Sequence, residues 1–221
     1  MIVQQLLEKS QTKIRKIGLS SASHQLFLKT VNAFMLFKIL RGVTLPKVDP
    51  AFLDYPSHFK PMFLSEQMMR HYARDPVNEM PESFIEESLA KGDQCFGIFD
   101  GAVLASYGWY SRKPTHIDPP ELFLHFSPSY VYMYKGFTHH EYRGQRLHAI
   151  GMNLALKHYL EKGYKGLVSY VESSNFDSLK SIYRLGYLNV GSIYLIRLFG
   201  NYQSFASKGC EAFELALKTL V

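Results

Sequence analysis

The sequence predicts a mixed α+β domain, and three stretches of it carry that prediction. An apolar hairpin occupies residues 95–110, a strand, loop and helix follow over 130–162, and a second strand–helix pair fills 166–185. Apolar strands continue from Tyr187 onward.

Before the hairpin the signals are weaker. Residues Ile2 to Ile17 show weak helical spacing, with Ile2, Val3, Leu6, Leu7, Ile14 and Ile17 roughly on one side. Gly18 and the serines after it read as a stop. Leu26 to Leu40 is strongly apolar and fits either a helix or a buried strand. Pro46, Pro50, Pro56 and Pro61 break up a loop-rich passage. Ser65 is placed to cap a helix that reaches about Arg74. Another helix runs from Pro81 to about Leu89, with Gly92 as its stop.

In the hairpin, Cys95 to Phe99 runs into Asp100-Gly101 and returns from Ala102 to Tyr110. An Asp-Gly pair between apolar runs predicts a two-residue turn whose central residues both take positive φ. After a proline-rich loop at 112–120, the run from Tyr130 to Thr138 reads as a strand. The helix from Leu147 to Lys162 sets Leu147, Ile150, Leu154, Ala155 and His158 on one face, and Gly163 lies beyond its end. Gly166 to Val171 reads as a strand, and Phe176 to Leu185 as a helix.

A chain of 221 residues, 47% of them hydrophobic, can bury the core of one ordinary domain. Charged residues at 20% and plentiful aromatics argue against disorder. The expected division is a basic segment over 1–60, packed on or continuous with a domain over 61–221. No apolar run has the length of a bilayer crossing, and Gln4, Gln5 and Glu8 interrupt any secretory signal. Cys95 and Cys210 are too few for a disulfide framework or a metal site. A cytoplasmic protein without a metal is the expectation. Most of the net charge of +6 sits early, where Lys9, Lys13, Arg15, Lys16, Lys29, Lys38, Arg41 and Lys47 face one acid, Glu8. Such a stretch suits nucleic acid, anionic lipid or an acidic partner. A solvated helix face is the simpler reading, because the aromatic and glycine interleaving of RNA-binding segments is missing.

The chemistry concentrates at 132–187. The loop His139-His140-Glu141-Tyr142-Arg143-Gly144-Gln145-Arg146 leads from a strand end into a helix N-terminus. Unpaired amides and the positive end of the helix dipole make such a terminus a seat for phosphate. Arg143 and Arg146 add charge, and Gly144 lets the backbone bend close to an anion. A plain strand–helix turn with exposed arginines fits the same residues.

Phe137 to Ile150 resembles the cofactor motif of the Gcn5-related N-acetyltransferases, a strand followed by Gln/Arg-x-x-Gly-x-Gly/Ala. A second element, Asn175, then Ser178-Leu179, then Tyr183 to Gly186-Tyr187, is similar to that family's Asn-x-x-Ser/Ala-x-x-x-Tyr-x-x-x-Gly-Phe signature. The resemblance covers about residues 93–195, and Arg146 and His148 stand where the family has its two loop glycines. It implies a central, mostly antiparallel twisted sheet flanked by helices. It also implies acetyl-CoA or another acyl-CoA as co-substrate and an amine acceptor that attacks the thioester directly. Phe137, Thr138, Arg143, Gly144, Gln145, Arg146, Leu147, His148, Asn175 and Ser178 would then hold coenzyme A. Either the bulky side chains of Arg146 and His148 point off the loop, or the grip on the cofactor is altered. In the second case the chain would be an acyl-CoA-binding or partner-docking module.

Tyr183 occupies the family's general-acid position, although a tyrosine packing on the sheet fits there too. Glu172, at a strand end, is the candidate base, and Tyr132 and Tyr134 share a strand face as candidate acceptor contacts. The acceptor pocket is expected from residues 50–90 and 190–215. A homodimer stays open.

Overall fold

The computed structural model describes residues 18–32, 35–118 and 122–219. Its elements are α1 (Leu19–Val31), β1 (Leu36–Leu45), β2 (Phe59–Phe63), α2 (Glu66–Ala73), α3 (Glu82–Lys91), β3 (Gln94–Asp100), β4 (Val103–Ser111), β5 (Thr115–His116) and β6 (Leu122–His125). They continue with β7 (Val131–Thr138), α4 (Leu147–Glu161), β8 (Leu167–Glu172), α5 (Phe176–Arg184), β9 (Leu188–Leu198), β10 (Asn201–Ala206) and β11 (Ala216–Thr219). This is a mixed α+β fold. Eight strands form one sheet in the order β10-β9-β1-β8-β7-β4-β3-β2, antiparallel except for β7 and β8. A small sheet, β11-β6-β5, lies apart from it.

Three of the four buried apolar clusters show how the layers pack. On one face, Val43, Val131 and Met133 pack with Met152, Leu156 and Tyr159 of α4, while Ile182 and Leu185 of the α5 region join them. On the other face, Cys95, Tyr107 and Trp109 pack with Met69 and Ile85 of α2 and α3. That face continues where Leu40, Tyr132, Val168 and Ile193 meet Leu122, Leu124 and Leu217 of the small sheet. Each fully buried aliphatic side chain contributes on the order of 1.5–3 kcal/mol of transfer free energy. Among the described residues no helix is long and apolar enough to cross a membrane.

Local chemistry sets most element ends. The Ser65 hydroxyl accepts from the Met68 amide at 3.3 Å and caps α2. Gly92 ends α3 in the left-handed conformation. The β3–β4 turn differs from its expectation. Asp100 pairs with Val103, so the central residues are Gly101 and Ala102, and only Gly101 has positive φ, at 57°. Glycine at the first central position needs no second left-handed residue.

Several other expectations change. Gly18 immediately precedes α1, and Ser20, Ser21 and Ser23 lie inside α1 rather than after a stop; the expected helix over 2–17 falls outside the described residues. The apolar stretch 26–40 is both of the alternatives in succession, the end of α1 and the start of β1. The passage 46–61 carries the start of β2, and 112–120 carries β5, a two-residue strand. The basic early residues do not share one helix face. Lys29 is on α1, whereas Lys38 and Arg41 lie on β1, where Arg41 donates to the Ser192 hydroxyl at 2.6 Å.

α4 is buried over more of its circumference than its apolar stripe predicts. Ala149, Met152, Asn153 and Leu156 are all inside. The Asn153 amide accepts from the Asp49 N–H at 2.9 Å and donates to the Ala149 carbonyl, which ties residues 49–52 across the helix.

Candidate functional site

β7 and β8 run parallel and pair at only two places, Val131 with Leu167 and Tyr132 with Val168. The Ser169 hydroxyl still reaches the Met133 carbonyl at 2.8 Å. Past that bond no ladder pair joins the two strands. On its other edge β7 stays paired with β4 as far as Thr138 opposite Ser106, and the register slips between Trp109–Lys135 and Tyr110–Met133. The slip leaves Tyr134 as an extra residue, a bulge that bends β7 where it leaves β8. The result is a wedge in the middle of the sheet.

The loop from β7 to α4 sits at the wide end of that wedge. His139 is buried with Nε2 3.0 Å from Asn78 Oδ1, and the Tyr142 hydroxyl donates to Asp100 at 3.0 Å. Gly144 has φ 84° and nothing within 4 Å of where a Cβ would stand. Arg146 has φ 62°, a left-handed conformation that disfavours side chains. Its guanidinium donates to the Ala51 carbonyl at 2.9 Å and lies over the Phe52 ring. The first bond of α4 runs from the Ile150 amide to the Arg146 carbonyl. The amides of Leu147, His148 and Ala149 therefore have no partner within the helix. With exposed Arg143 beside them, these amides are groups that could receive an anion. His148 turns its ring inward against Gly136 of β7 and leaves no room for a Cβ there. Burial lowers its pKa to about 4. The void beside it, lined in part by Gly108, Tyr110 and Gly151, is too small for a water molecule.

No family model and no curated protein sequence matches the chain. Solved structures do. One is a GCN5-related N-acetyltransferase-like protein from Streptococcus suis, at TM-score 0.51 and 15% identity over 80% of this chain and 68% of that one. Another is a putative GNAT-family acetyltransferase from Novosphingobium aromaticivorans, at TM-score 0.50 and 13% identity over 72% and 62%. A tandem GNAT protein from the clavulanic acid biosynthesis pathway matches at TM-score 0.50 and 15% identity over 78% and 57%. The chain has the fold of the Gcn5-related N-acetyltransferases. It spans about two thirds or less of the length of these chains.

Within this GNAT fold the predicted residues fall into separate groups. Phe137, Thr138 and Arg143 to His148 line the wedge end and the loop. The Phe137 carbonyl already accepts from the Ser106 hydroxyl at 2.8 Å, Thr138 Oγ1 lies 2.9 Å from Ser106 Oγ, and Arg143 Nε reaches the Thr138 carbonyl at 3.5 Å. Gln145 turns back to the Glu141 carbonyl at 3.4 Å. Asn175 caps α5 by accepting from the Ser178 amide at 3.1 Å. Tyr183 is 42% exposed, and its hydroxyl accepts from Asn189 at 3.4 Å. Its hydrogen bond is to Asn189 of β9, while Glu172 pairs instead with Lys38.

Tyr132 and Tyr134 lie on the face opposite α4. Tyr132, 2% exposed, stacks on Tyr134 and Tyr170 at 5.6 and 6.4 Å. The Tyr134 hydroxyl donates to Asp93 at 2.8 Å and meets Ser88, while Lys91 pairs with Asp93 at 3.0 Å. Burial raises both phenols well above the ordinary range, so each stays neutral. At the end of β8, Glu172 pairs with Lys38 at 3.0 Å, and Lys38 also binds Asp118 at 2.7 Å. Burial alone would lower the Lys38 pKa, but the two carboxylates outweigh it and hold the ammonium charged. The sequence reading missed Lys38, Tyr170 and Ser106 as neighbours of the site. Lys38 stood out only as one of the early basic residues, and its partners Asp118 and Glu172 are far along the chain.

Two open cavities flank these groups. One of about 590 Å³ lies among His71, Asp75, Asn78, Val103 and His139. The other, of about 380 Å³, lies where α1 covers the ends of β1 and β8. Neither is lined by the loop 143–148 or by Tyr183.

Proposed function

We propose that the chain is an acyl-CoA-dependent N-acyltransferase, in the simplest case moving acetyl from acetyl-CoA to a primary amine. The observation that carries this reading is the wedge: two parallel strands that part after two ladder pairs, with free helix amides and Arg143 at the wide end. The residues present suit coenzyme A, because the free amides of Leu147, His148 and Ala149 and the charge of Arg143 match a pyrophosphate. The unpaired edges of β7 and β8 supply hydrogen-bonding groups for the pantetheine amides. When bound, acyl-CoA supplies an activated acyl carbon as a thioester. Glu172 takes a proton from the acceptor's ammonium so that the neutral amine can attack the acyl carbon, and Tyr183 gives a proton to the departing thiolate as the new C–N bond replaces the C–S bond. Tyr183 must move from Asn189 to do so, and its exposure leaves it free to turn. We place the reaction in the cytosol, which suits two buried free cysteines.

Calorimetry with coenzyme A and acetyl-CoA tests the binding, and thiol release with a panel of amines tests turnover. Tyr183→Phe is expected to lower kcat by about 100-fold while leaving acetyl-CoA affinity unchanged. Unchanged turnover across pH would remove Tyr183 from the mechanism. A second reading, an acyl-CoA-binding or partner-docking module without turnover, draws support from His148, whose ring packs into the sheet where the family pattern has glycine. Binding without thiol release would favour it.

A further inference from the structure

β9 and β10 form a hairpin at the outer edge of the eight-stranded sheet. Leu198 pairs with Asn201, so the turn consists of Phe199 and Gly200, and both have positive φ, 48° and 85°. Hairpin turns of that geometry favour Asn-Gly or Gly-Gly, because an aromatic side chain is strained at the first position. Phe199 is also fully exposed, at 102%. A ring held in a strained turn and surrounded by water gains nothing from the fold, so the position points to something outside it. Its neighbours are apolar as well. Leu198 is exposed, and so is Met35, one residue before Leu36, which pairs with Arg197. Tyr194 and Phe205 pair with each other on the strand face that Leu198 shares, and both are exposed.

The charge at this edge has one sign. Residues 18–48 and 187–210 contain Lys29, Lys38, Arg41, Lys47, Arg197 and Lys208 and neither Asp nor Glu. Lys38 is paired with Glu172 and Asp118, and Arg41 bonds Ser192. Arg197 is exposed beside the tip, with its guanidinium over the Tyr202 ring at 5.1 Å. Lys29 is exposed in the last turn of α1. Asn32 holds that turn against Phe37 at the start of β1 by hydrogen bonds of 2.8 and 2.7 Å. Ahead of α1 the sequence adds Lys9, Lys13, Arg15 and Lys16 against Glu8.

We propose that the β9–β10 tip docks the protein on an anionic lipid surface. Phe199 and Leu198 enter the boundary between headgroups and acyl chains, while Arg197 and Lys29 meet the anionic headgroups. A projecting turn needs no matching groove in a bilayer, and an aromatic tip flanked by cations suits its interface. A nucleic acid would use the cations and leave Leu198 and Phe199 in water. The docking stands apart from the acyl-transfer reading and does not depend on it.

The test is sedimentation of the full chain with vesicles of phosphatidylcholine and phosphatidylserine at about 3:1, and of phosphatidylcholine alone. The mixed vesicles are expected to bind about tenfold more tightly, and the difference should shrink as salt rises. Phe199→Asn suits the turn better than the native residue. Its melting temperature should hold or rise while binding to the mixed vesicles falls about tenfold. Arg197→Gln should lower that binding about fivefold. Leu188→Ser, exposed at the other end of β9, should leave it unchanged. Absence of vesicle binding, or binding untouched by Phe199→Asn, overturns the proposal. A dimer that becomes a monomer in Phe199→Asn, without vesicle binding, also overturns it and assigns the tip to a second copy of the chain. Binding to duplex DNA in place of vesicles, insensitive to Phe199→Asn, overturns it in favour of nucleic acid.

Discussion

β8 has two neighbours, and they treat it in opposite ways. Along β1 it is paired at six consecutive positions, from Leu40–Glu172 to Leu45–Leu167, whereas along β7 it is paired at two. Leu40, Val43 and Leu45 on the closed side are all but inaccessible to solvent. On the open side, Arg143, Gly144, Gln145 and Arg146 are exposed. One seam is built to stay shut and carries the core; the other leaves backbone groups and a helix end free for something else. A packed seam and a partly unpaired one are thus separated across one strand.

That separation breaks or sharpens under substitution. The largest effect is expected at the closed seam. Leu40→Ala should cost about 2–5 kcal/mol in urea denaturation through the cavity it leaves. If it costs no more than a surface change, the seam does not carry the sheet.

Next is His148, which fills space near the open seam. Unfolded, its imidazole titrates near 6.5, and folded near 4, so the folded state holds fewer protons. Its contribution is complete above about pH 6.5, declines as pH falls towards 4 and is gone below, with at most about 3 kcal/mol at stake. His125 and His158 are lowered by burial too and add to the same slope. Melting curves of His148→Gln across that window should show a shallower acid decline than the parent. An identical slope would mean that the ring is not buried as the fold places it.

Arg143→Ala comes third and should divide the two properties. Stability should stay within about 0.5 kcal/mol, as for other exposed changes. Coenzyme A affinity should fall about tenfold in calorimetry if a charge-assisted phosphate contact is lost. Arg146→Gly should do least. Relief of a left-handed side chain, worth about 1 kcal/mol, nearly offsets the lost bond to Ala51, also about 1 kcal/mol. A net change beyond that scale would show that the Phe52 contact matters more than the geometry indicates.

What the sequence made legible was local. The Ser65 and Gly92 signals, the apolar run of β7 and the loop into α4 each arise within a few residues, and the structure has elements there within a residue or two of the expected ends. The fold class followed from their order. The pairing of β1 with β8 and β9 was not legible, because nothing near residue 40 specifies a partner beyond residue 165. The small sheet was hidden for a related reason. β5 has two residues, and β6 takes its long partner from β11 at the chain's far end. At the site, the loop could be read, but the Lys38–Glu172 pair depends on tertiary placement.

The position of β1 also bears on how the chain reaches this state. The strand is synthesised early, yet both of its partners come near the end, since Leu40 pairs with Glu172 and with Ile193. During translation the hairpin β3–β4 and the strand β7 can assemble first, while a leucine-containing apolar segment waits with both edges bare. Such late, long-range closure slows folding and exposes an aggregation-prone strand to chaperones.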